Sequence, residues 1–449
     1  MLSATQPGCR AQTKALFDEE QRFIAPGLQT IALLSELAIE RGCGSTLIDV
    51  DGNTYLDLNA GVSVASLGHA HPRYVRAVTE QLRAVSVGSF TSRPRAALAR
   101  LLAEVAPGAL RRVQFFSGGA EAVEAAIRLA RSYTRRQDII GFVGGFHGKT
   151  AGVLPLSDVA WKHDVGPLPE GYHLAPFPDP TSGDRSPDEC LRASIAGLRE
   201  VVAASARGRP AAIVVEPVQG TAGNIVPPPG FLARVLEVAR ESGALLIADE
   251  MITGFGRTGL LFGSDHDSVV PDIMTLGKGM ASGFPLSAVL STDEIVQAKP
   301  FSLPSASSSS YGGNPLAAAA ALATLTTILD ENLVEHARHT GRLMLDGLRE
   351  IASRHRTLAN VRGLGLLIGF DLVRSTPAGS GGRVDVADRS ALLPKEQCVS
   401  FFHDCLAHGL ILMAYTPRVR IHPPLILSPE EVAQALETID VALSRLEGC

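Results

Sequence analysis

ALLIADEMITGFGRTG, residues 244–259, and PDIMTLGKGM, residues 271–280, form the stretch that decides the fold of this chain. The first segment has an apolar run before Asp249, and the second has an apolar run shortly before Lys278. Short apolar runs bounded by glycine-rich turns are typical of buried strands. The stretch therefore predicts two buried strands, with an acid at the end of one and a lysine just after the other.

This pairing of a lysine with an acid points to a specific chemistry. A lysine held away from water has a lowered pKa, so its free amine becomes a nucleophile toward carbonyl groups. Pyridoxal phosphate (PLP) needs such an amine for its Schiff base and an acid at its pyridinium nitrogen. Taken singly, a solvated lysine and a strand-end acid are commoner explanations, so the rest of the chain has to support the assignment.

Length, composition and charge exclude several classes of protein. The chain has 449 residues, 45% of them hydrophobic and 19% charged, which is enough for two or three ordered domains. The net charge of -5, with no basic block, argues against nucleic-acid binding. The longest alanine- and leucine-rich run, residues 316–325, is too short to span a bilayer, so we expect no membrane segment.

Cysteine usage and the start of the chain predict the compartment. The six cysteines contain no CxxC pair, which is typical of a reduced, cytoplasmic protein. The first 30 residues lack a continuous apolar segment, so we expect no signal peptide. We therefore predict a cytoplasmic location.

Strand and helix patterns alternate from residue 113 to residue 290, which predicts a mostly parallel sheet covered on both faces. The strand 113–116 runs through SGGA into a strongly periodic helix. The free amides at such a helix start form a phosphate site. A second strand, 138–143, ends in GGFHGKT, where Phe146 can lie flat on a planar ligand.

The two ends of the chain have a different, mixed pattern. Residues 45–58 predict a β-hairpin around an Asp-Gly turn, followed by the loop LGHAHP, residues 67–72. The two histidines of that loop have no carboxylate or cysteine at ligand spacing, so we expect a structured loop and no metal. Beyond the helix 333–354, the sequence predicts two strands, residues 364–372 and 410–413, around a Gly/Ser-rich insertion, 375–383.

Eight motifs, in order along residues 30–440, are similar to those of the class III, or ω-amino acid, aminotransferases, which are PLP enzymes of fold type I. They are SGGAEAVEAAIRLAR, GGFHGKT, VVEPVQG, IADEMITGFGRTG, TLGKGM, SYGGNPLAAAAAL, RGLGLLIGF and VRIHPPL. The resemblance implies an α/β fold with a large domain, whose mostly parallel sheet is covered by helices, and a smaller α+β domain from both chain ends. Its expected boundaries are 1–65 and 333–449 for the small domain and 66–332 for the large PLP-binding domain.

The resemblance also implies a role for each matching residue. Lys278 falls on the Schiff-base lysine and Asp249 on the pyridinium acid, and these are the implied catalytic residues. The implied cofactor-binding residues also include Gly119 and Ala120 at the phosphate, Phe146 on the ring face, His147, Glu216, Met251, Ile252 and Ser310, the last reaching the neighbouring subunit's phosphate. The implied substrate-binding residues are Arg420, which grips the α-carboxylate, with Lys149, Thr221 and Val62.

Several positions depart from the family pattern. Met251 replaces a usual valine, Ile252 stands where many members have a glutamine, and Ser310 replaces a more usual threonine. Thr221 stands where enzymes acting on 4-aminobutyrate or ornithine carry a gating glutamate, and Lys149 stands where 4-aminobutyrate enzymes carry an arginine. These departures argue against a donor shaped like 4-aminobutyrate.

We therefore expect a PLP-dependent transaminase that moves an amino group from a primary ω-amine to an α-keto acid such as pyruvate or 2-oxoglutarate. The resemblance implies a homodimer with active sites at the subunit interface. An amino-acid racemase, epimerase or aminomutase on the same fold is the nearest alternative, because it would retain Lys278 and Asp249. A cofactor-binding module without catalysis is the alternative from another class.

Overall fold

A computed structural model of the chain describes residues 8–183, 185–376 and 382–448. Residues 377–381 of the predicted insertion therefore lie outside the described residues. The strands are β1 Ile39–Cys43, β2 Thr46–Asp49, β3 Thr54–Asp57, β4 Arg112–Phe116, β5 Ile139–Phe142, β6 Tyr172–Ala175, β7 Ala212–Val215, β8 Leu245–Asp249, β9 Ile273–Leu276, β10 Ser287–Ser291, β11 Leu358–Leu364, β12 Leu367–Leu372, β13 Leu410–Ile411 and β14 Arg418–Ile421.

The helices alternate with these strands through the middle of the chain and dominate its last third. They are α1 Ala11–Gln21, α2 Thr30–Ser35, α3 Ala60–Ser63, α4 Pro72–Ala84, α5 Arg93–Val105, α6 Gly119–Thr134, α7 Pro187–Ala204, α8 Phe231–Ser242, α9 Asp293–Val296, α10 Pro315–Asp330, α11 Leu333–Arg354, α12 Lys395–Ala407 and α13 Pro429–Gly448.

The large sheet has the order β4-β10-β9-β8-β7-β5-β6. Only β10 runs antiparallel to its neighbours among these described strands, so the predicted mostly parallel sheet is confirmed. Successive residues of β8 point to opposite faces: Ile247 packs into an apolar cluster with α6, and Leu246 into one with α7 and α8. Because helices cover both faces, β7, β8 and β9 are buried along their whole lengths.

Two smaller sheets are built from the remaining strands. One has the order β1-β2-β3-β13, in which β13 from the C-terminal part pairs parallel with β3 of the predicted Asp-Gly hairpin. The other consists of β11, β12 and β14. Both chain ends thus contribute to the α+β part, whereas the domain boundaries at residues 65 and 332 stay predictions.

The strand predicted over 364–372 is wrong in its limits. The structure has a hairpin there, with β11 ending at Leu364 and β12 beginning at Leu367. Gly365, in the turn, has a φ of +53°, a left-handed conformation that glycine adopts without steric cost. The strand predicted over 410–413 is also shorter, since β13 ends at Ile411.

No single helix within the described ranges has the length and apolarity to cross a membrane, although α10 and α11, bent by 68° at their junction, pass that test when joined. The cysteines of the described chain are free, with Cys190, Cys398 and Cys405 buried. The cytoplasmic location stays a prediction.

Helix α11 approaches the β11–β12 turn through a glycine. A Cβ atom added at Gly341 would lie 1.9 Å from the carbonyl oxygen of Gly365. Since that neighbour is backbone, a side chain at residue 341 would push the helix and the hairpin apart.

We expect Gly341→Ala to destabilise the protein by about 1–3 kcal/mol through overpacking. In a helix interior without such a contact, the same change usually stabilises by about 1 kcal/mol. Gly448→Ala is the matched control, because a Cβ there meets no heavy atom within 4 Å. Urea unfolding of the two variants measures the difference. A Gly341→Ala midpoint at or above that of the wild type would contradict this packing.

Candidate active site

The functional side chains lie at one edge of the large sheet. Parallel strands end at the same edge, so Glu216 after β7, Asp249 at the end of β8 and Lys278 after β9 come together. Asp249 pairs in register with Thr275 of β9. The adjacent parallel strands therefore place the acid and the lysine on neighbouring chain ends, as the sequence predicts.

A cavity of about 330 Å³ opens at this edge. It contains seven of the residues predicted for the site, and its wall is completed by Val64, Ser117, Gly148 and the turn 283–286. The seven predicted residues are Gly119, Ala120, Phe146, His147, Asp249, Met251 and Lys278.

Asp249 is held by a short hydrogen bond to His147. Oδ2 of Asp249 lies 2.6 Å from Nδ1 of His147, and the residues are only 2% and 4% exposed. The hydroxyl of Thr275 donates to Oδ1 of Asp249 at 3.0 Å. Burial alone would raise the pKa of Asp249, but the bond and charge of His147, together with Lys278 and Thr275, lower it overall. Asp249 is therefore a carboxylate.

The pKa of His147 shifts in the opposite direction to that of Asp249. Burial alone would lower the pKa of His147, but the hydrogen bond and the negative charge of Asp249, helped by Glu216, raise it. The pair is therefore stabilised as an imidazolium beside a carboxylate.

Lys278 has a lowered pKa and a constrained backbone. Burial is the main cause of the lowered pKa of its ammonium group; Asp249 and Glu216 oppose it, and Arg420 adds to it. Its φ of +42° lies in the left-handed region, where non-glycine residues are strained. The amine is thus more easily deprotonated than that of a surface lysine.

Glu216 lies behind the cavity wall. Its carboxylate accepts hydrogen bonds from the backbone amides of Phe146, at 2.9 Å, and Gly220, at 3.2 Å. Burial is the largest cause of its raised pKa, and the charge of Asp249 adds to it. Glu216 therefore fixes the loop that carries Phe146.

The start of α6 lines one end of the cavity. The carboxylate of Glu121 accepts from the amides of Ser117 and Gly118, at 3.1 and 2.6 Å. The amides of the next residues, Gly119 and Ala120, belong to the first helical turn, where they have no partner within the helix. A Cβ at Gly119 would lie 3.2 Å from Sδ of Met251, so glycine keeps this end of the cavity open.

The other predicted site residues lie outside this cavity. Arg420, on β14, and Val62, with a φ of +65°, are half-buried. Ile252 is buried against Val218 and Leu367 in a small apolar cluster. Exposed positions are found for Lys149, Thr221 and Ser310.

Sequence reasoning missed Thr275 and the turn 283–286. Thr275 is a fully buried hydroxyl within an otherwise apolar strand, and that mismatch was the available signal. The turn, GFPL, carries no comparable signal and reaches the cavity only through the fold.

The structure contains a larger cavity, about 850 Å³, that shares no lining residue with the first. It lies between the loops around Gly144 and Ala222 and the strand β14.

His69, from the predicted histidine loop, pairs with Asp57 at 3.0 Å. Across the described part of the chain, no group of three or more His, Cys, Asp or Glu side chains forms a candidate metal site.

Comparisons with known proteins give a consistent result. The family model "Aminotransferase class-III" matches residues 31–443. The acetylornithine aminotransferase of Methanothermobacter thermautotrophicus is 35% identical, over 97% of this chain and 100% of its own length. The alanine/serine racemase of Pyrococcus horikoshii is also 35% identical, over 97% of this chain and 91% of its own length. An amine transaminase from an uncultivated Pseudomonas species, solved in its PLP-bound form, has a TM-score of 0.86 and 31% identity, and the match covers 94% and 98% of the two chains.

We predict that His147→Leu lowers the free energy of unfolding by about 3–5 kcal/mol, because it leaves the buried Asp249 carboxylate without its charged partner. Adding Asp249→Asn should recover much of that loss, since the double variant buries no unpaired charge. Urea unfolding of the apoprotein, at pH 6, measures both. Equal stability of His147→Leu and the wild type would contradict the ion pair.

The pH dependence of stability gives a second measurement. The pKa of His147 is raised, so its contribution is complete below the unfolded value of about 6.5 and is lost as the pH rises through its folded value. The wild type should therefore lose this contribution on the alkaline side, whereas His147→Leu should not. Parallel curves for both proteins would count against a charged His147.

Proposed function

This chain belongs to the class III aminotransferases, and from that premise we propose that it transfers an amino group from a primary ω-amine to an α-keto acid such as pyruvate or 2-oxoglutarate. The family uses PLP as its cofactor. Diamines, ω-amino acids and other amino-bearing metabolites are the donor classes that we propose. The observation that carries the proposal is the convergence of Lys278 and Asp249 in one cavity at the ends of two adjacent strands.

The residues of this cavity fit PLP. Lys278 supplies a partly desolvated amine for the cofactor's aldehyde, and Asp249 supplies an ionised carboxylate for its pyridinium nitrogen. The first-turn amides at Gly119 and Ala120 suit a phosphate group, and Phe146 supplies an aromatic face. An amine, a carboxylate, free backbone amides and an aromatic side chain are thus present for the aldehyde, the ring nitrogen, the phosphate and the ring of PLP.

When bound, PLP supplies an electron sink for a carbanion. The protein's own groups then do the positioning and proton transfer. We propose that Lys278 would take the proton from the α-carbon as a general base and would deliver it, as a general acid, to the carbon C4′ that carries the cofactor's aldehyde, because its lowered pKa suits both steps. Asp249 stays ionised through His147 and Thr275, so it would supply a negative charge for the ring nitrogen.

Arg420 is the residue that we propose for the carboxylate of the keto acid. A planar guanidinium can bind a carboxylate through two parallel hydrogen bonds, which an ammonium cannot. Thr221 is neutral, so it cannot form an ion pair with Arg420 when the donor lacks an α-carboxylate. Lys149 is exposed and attracts a distal carboxylate only as a point charge. An extended amine is therefore a better donor than 4-aminobutyrate.

A racemase is the second candidate function, and the similarity to the Pyrococcus horikoshii enzyme favours it. Racemisation also needs a lysine that moves a proton at the α-carbon. It requires no keto acid, so an assay for loss of chirality of alanine or serine without any keto acid distinguishes the two functions.

We predict that borohydride reduction of the PLP-loaded enzyme places the pyridoxyl group on Lys278. Its burial and lowered pKa favour the free amine, whereas Lys149 is exposed. Peptide mapping by mass spectrometry locates the label. Lys149→Ala is the control and should be labelled normally, while Lys278→Ala should lose the label and turnover. A label on another lysine of the wild type would contradict the assignment.

We also propose a homodimer in which Ser310 acts at the partner's site. In the single chain, Ser310 is exposed and lies outside the cavity, beside Tyr311, which is 64% exposed. Exposed apolar side chains also cluster near residue 90, where Phe90 is 84% exposed, and such surface is typical of protein interfaces.

Mixed dimers of Lys278→Ala and Ser310→Ala chains test this arrangement. If Ser310 serves the partner's site, each heterodimer has one intact site, and an equal mixture recovers about a quarter of the wild-type activity. If Ser310 serves its own chain, no intact site forms and activity does not recover. Size-exclusion chromatography of the wild type at micromolar concentration provides the control for dimer formation.

A further inference from the structure

A short loop joins the large sheet to one of the smaller sheets. Residues 219–225, called loop 219–225 below, follow β7 and close on themselves through a bridge between Gln219 and Ile225. Gly223 and Asn224 have φ values of +119° and +55°, so the loop turns sharply at these positions. The loop carries Thr221, which is exposed.

Three successive residues of this loop are bound by the sheet β11-β12-β14. The carbonyl of Ala222 accepts from Nη1 of Arg418 at 3.3 Å. The carbonyl of Gly223 accepts from Nε and Nη2 of Arg362, at 3.0 and 2.7 Å. The side chain of Asn224 donates to the carbonyl of Ile368 at 2.6 Å.

Asn224 makes one further bond, to His422. Its amide nitrogen donates to Ile368, so its oxygen Oδ1 accepts from Nε2 of His422, at 2.8 Å. Both residues are fully buried. Burial, with the charges of Arg420, Arg257 and Lys278, lowers the pKa of His422 far below its usual value, so it binds as the neutral ring.

Arg420 lies between two of these anchoring residues, Arg418 on β14 and His422 just after the end of that strand. Side chains alternate along a strand, and Val419 and Ile421 are fully buried in the apolar core. Arg418, Arg420 and His422 therefore share the opposite face. The residues before and after Arg420 on that face both bind loop 219–225, so the loop and Arg420 are fixed relative to each other.

The two arginines that bind loop 219–225, Arg362 and Arg418, also form ion pairs with acidic side chains. Arg418 pairs with Asp179 at 2.9 Å, and Arg362 pairs with the buried Asp371 at 2.8 Å. Arg420, by contrast, forms no ion pair with any described residue and interacts instead with the side chain of Tyr415, so no carboxylate of the described chain neutralises its charge. Preorganised neighbours are what a bidentate carboxylate site requires.

We propose that Arg418 and His422 are positioning residues that clamp loop 219–225 beside Arg420 and so set the enzyme's selectivity for the keto acid. The inference rests on the proposed function, in which Arg420 binds the keto-acid carboxylate. Neither residue touches the reacting atoms. Their effect reaches the substrate through the position of the guanidinium and of Thr221.

The test is the KM for pyruvate and for a diamine donor in Arg418→Ala and His422→Leu. We expect the KM for pyruvate to rise about tenfold, the effect of about 1.4 kcal/mol of lost binding, with a much smaller change in the KM for the diamine. His422→Gln keeps a side-chain donor toward Asn224 and should restore the pyruvate KM. Arg136→Ala is the matched control, because Arg136 also donates to backbone carbonyls, those of Pro210, Ser242 and Gly243. These carbonyls lie before the first residues of β7 and β8, at the edge of the large sheet opposite to the cavity.

A double-mutant cycle separates the clamp from a general loss of stability. In an Arg420→Ala background, Arg418→Ala should leave the pyruvate KM nearly unchanged, because the group that it positions is absent. Equal increases in both backgrounds, or equal increases for both substrates, would overturn the proposal. So would an increase with Arg136→Ala as large as that with Arg418→Ala.

The amine half-reaction, followed by the cofactor's absorbance without keto acid, tests the proposed function independently. Wild type that fails this half-reaction would refute the transaminase. Wild type and Arg418→Ala that both complete it, with identical pyruvate KM values, would refute only the clamp. Thermal unfolding of each variant identifies any chain that does not fold, and in that case the conservative Arg418→Lys variant replaces Arg418→Ala in the cycle.

Discussion

Four ionisable groups, His147, Glu216, Asp249 and Lys278, share a buried volume at one edge of the large sheet, and the rest of the site depends on their mutual balance. A charge without a partner in such a place is costly, so it changes protonation or requires a counter-charge. Here the imidazolium of His147 holds Asp249 as a carboxylate, while burial favours the neutral amine of Lys278. One acid is thus kept charged and one amine is moved toward its neutral form, which is the combination that PLP chemistry requires.

The register of the parallel strands determines where these groups lie. Asp249 and Thr275 are in register on β8 and β9, and alternate residues of β8 face the helices on either side of the sheet. A slip of one residue would turn every side chain to the other face and carry Asp249 away from His147. The apolar packing of both faces therefore fixes the chemistry at the edge.

The part of the fold that sequence patterns could predict is the part built from local signals. Apolar runs before glycine turns placed β8 and β9 correctly, and they placed Asp249 and Lys278 at the same edge, because parallel strands leave few alternatives. The hairpin of β11 and β12 was missed as a hairpin, since a continuous apolar pattern does not reveal the turn at Gly365. The turn 283–286 reaches the cavity only through the return of the chain, which no local pattern encodes, whereas Thr275, which binds Asp249, offered only the signal of a hydroxyl in an otherwise apolar strand.

The arrangement separates the groups that we propose for the cofactor from the group that we propose for the substrate. Lys278, Asp249 and His147 belong to the large sheet, whereas Arg420 lies on β14 of a smaller sheet. The two sheets are joined by loop 219–225, which follows β7 of the large sheet. Three successive residues of this loop are bound by side chains or backbone of the sheet β11-β12-β14. A change of side chain at Thr221, in this loop, alters the charge presented by the loop while the register of β8 and β9 stays the same. The same physical division explains how a chain can keep the acid and lysine of its family while it departs from the family at residue 221. Chemistry is fixed by a sheet that is buried on both faces, and selectivity is left to a polar junction whose residues can change one at a time.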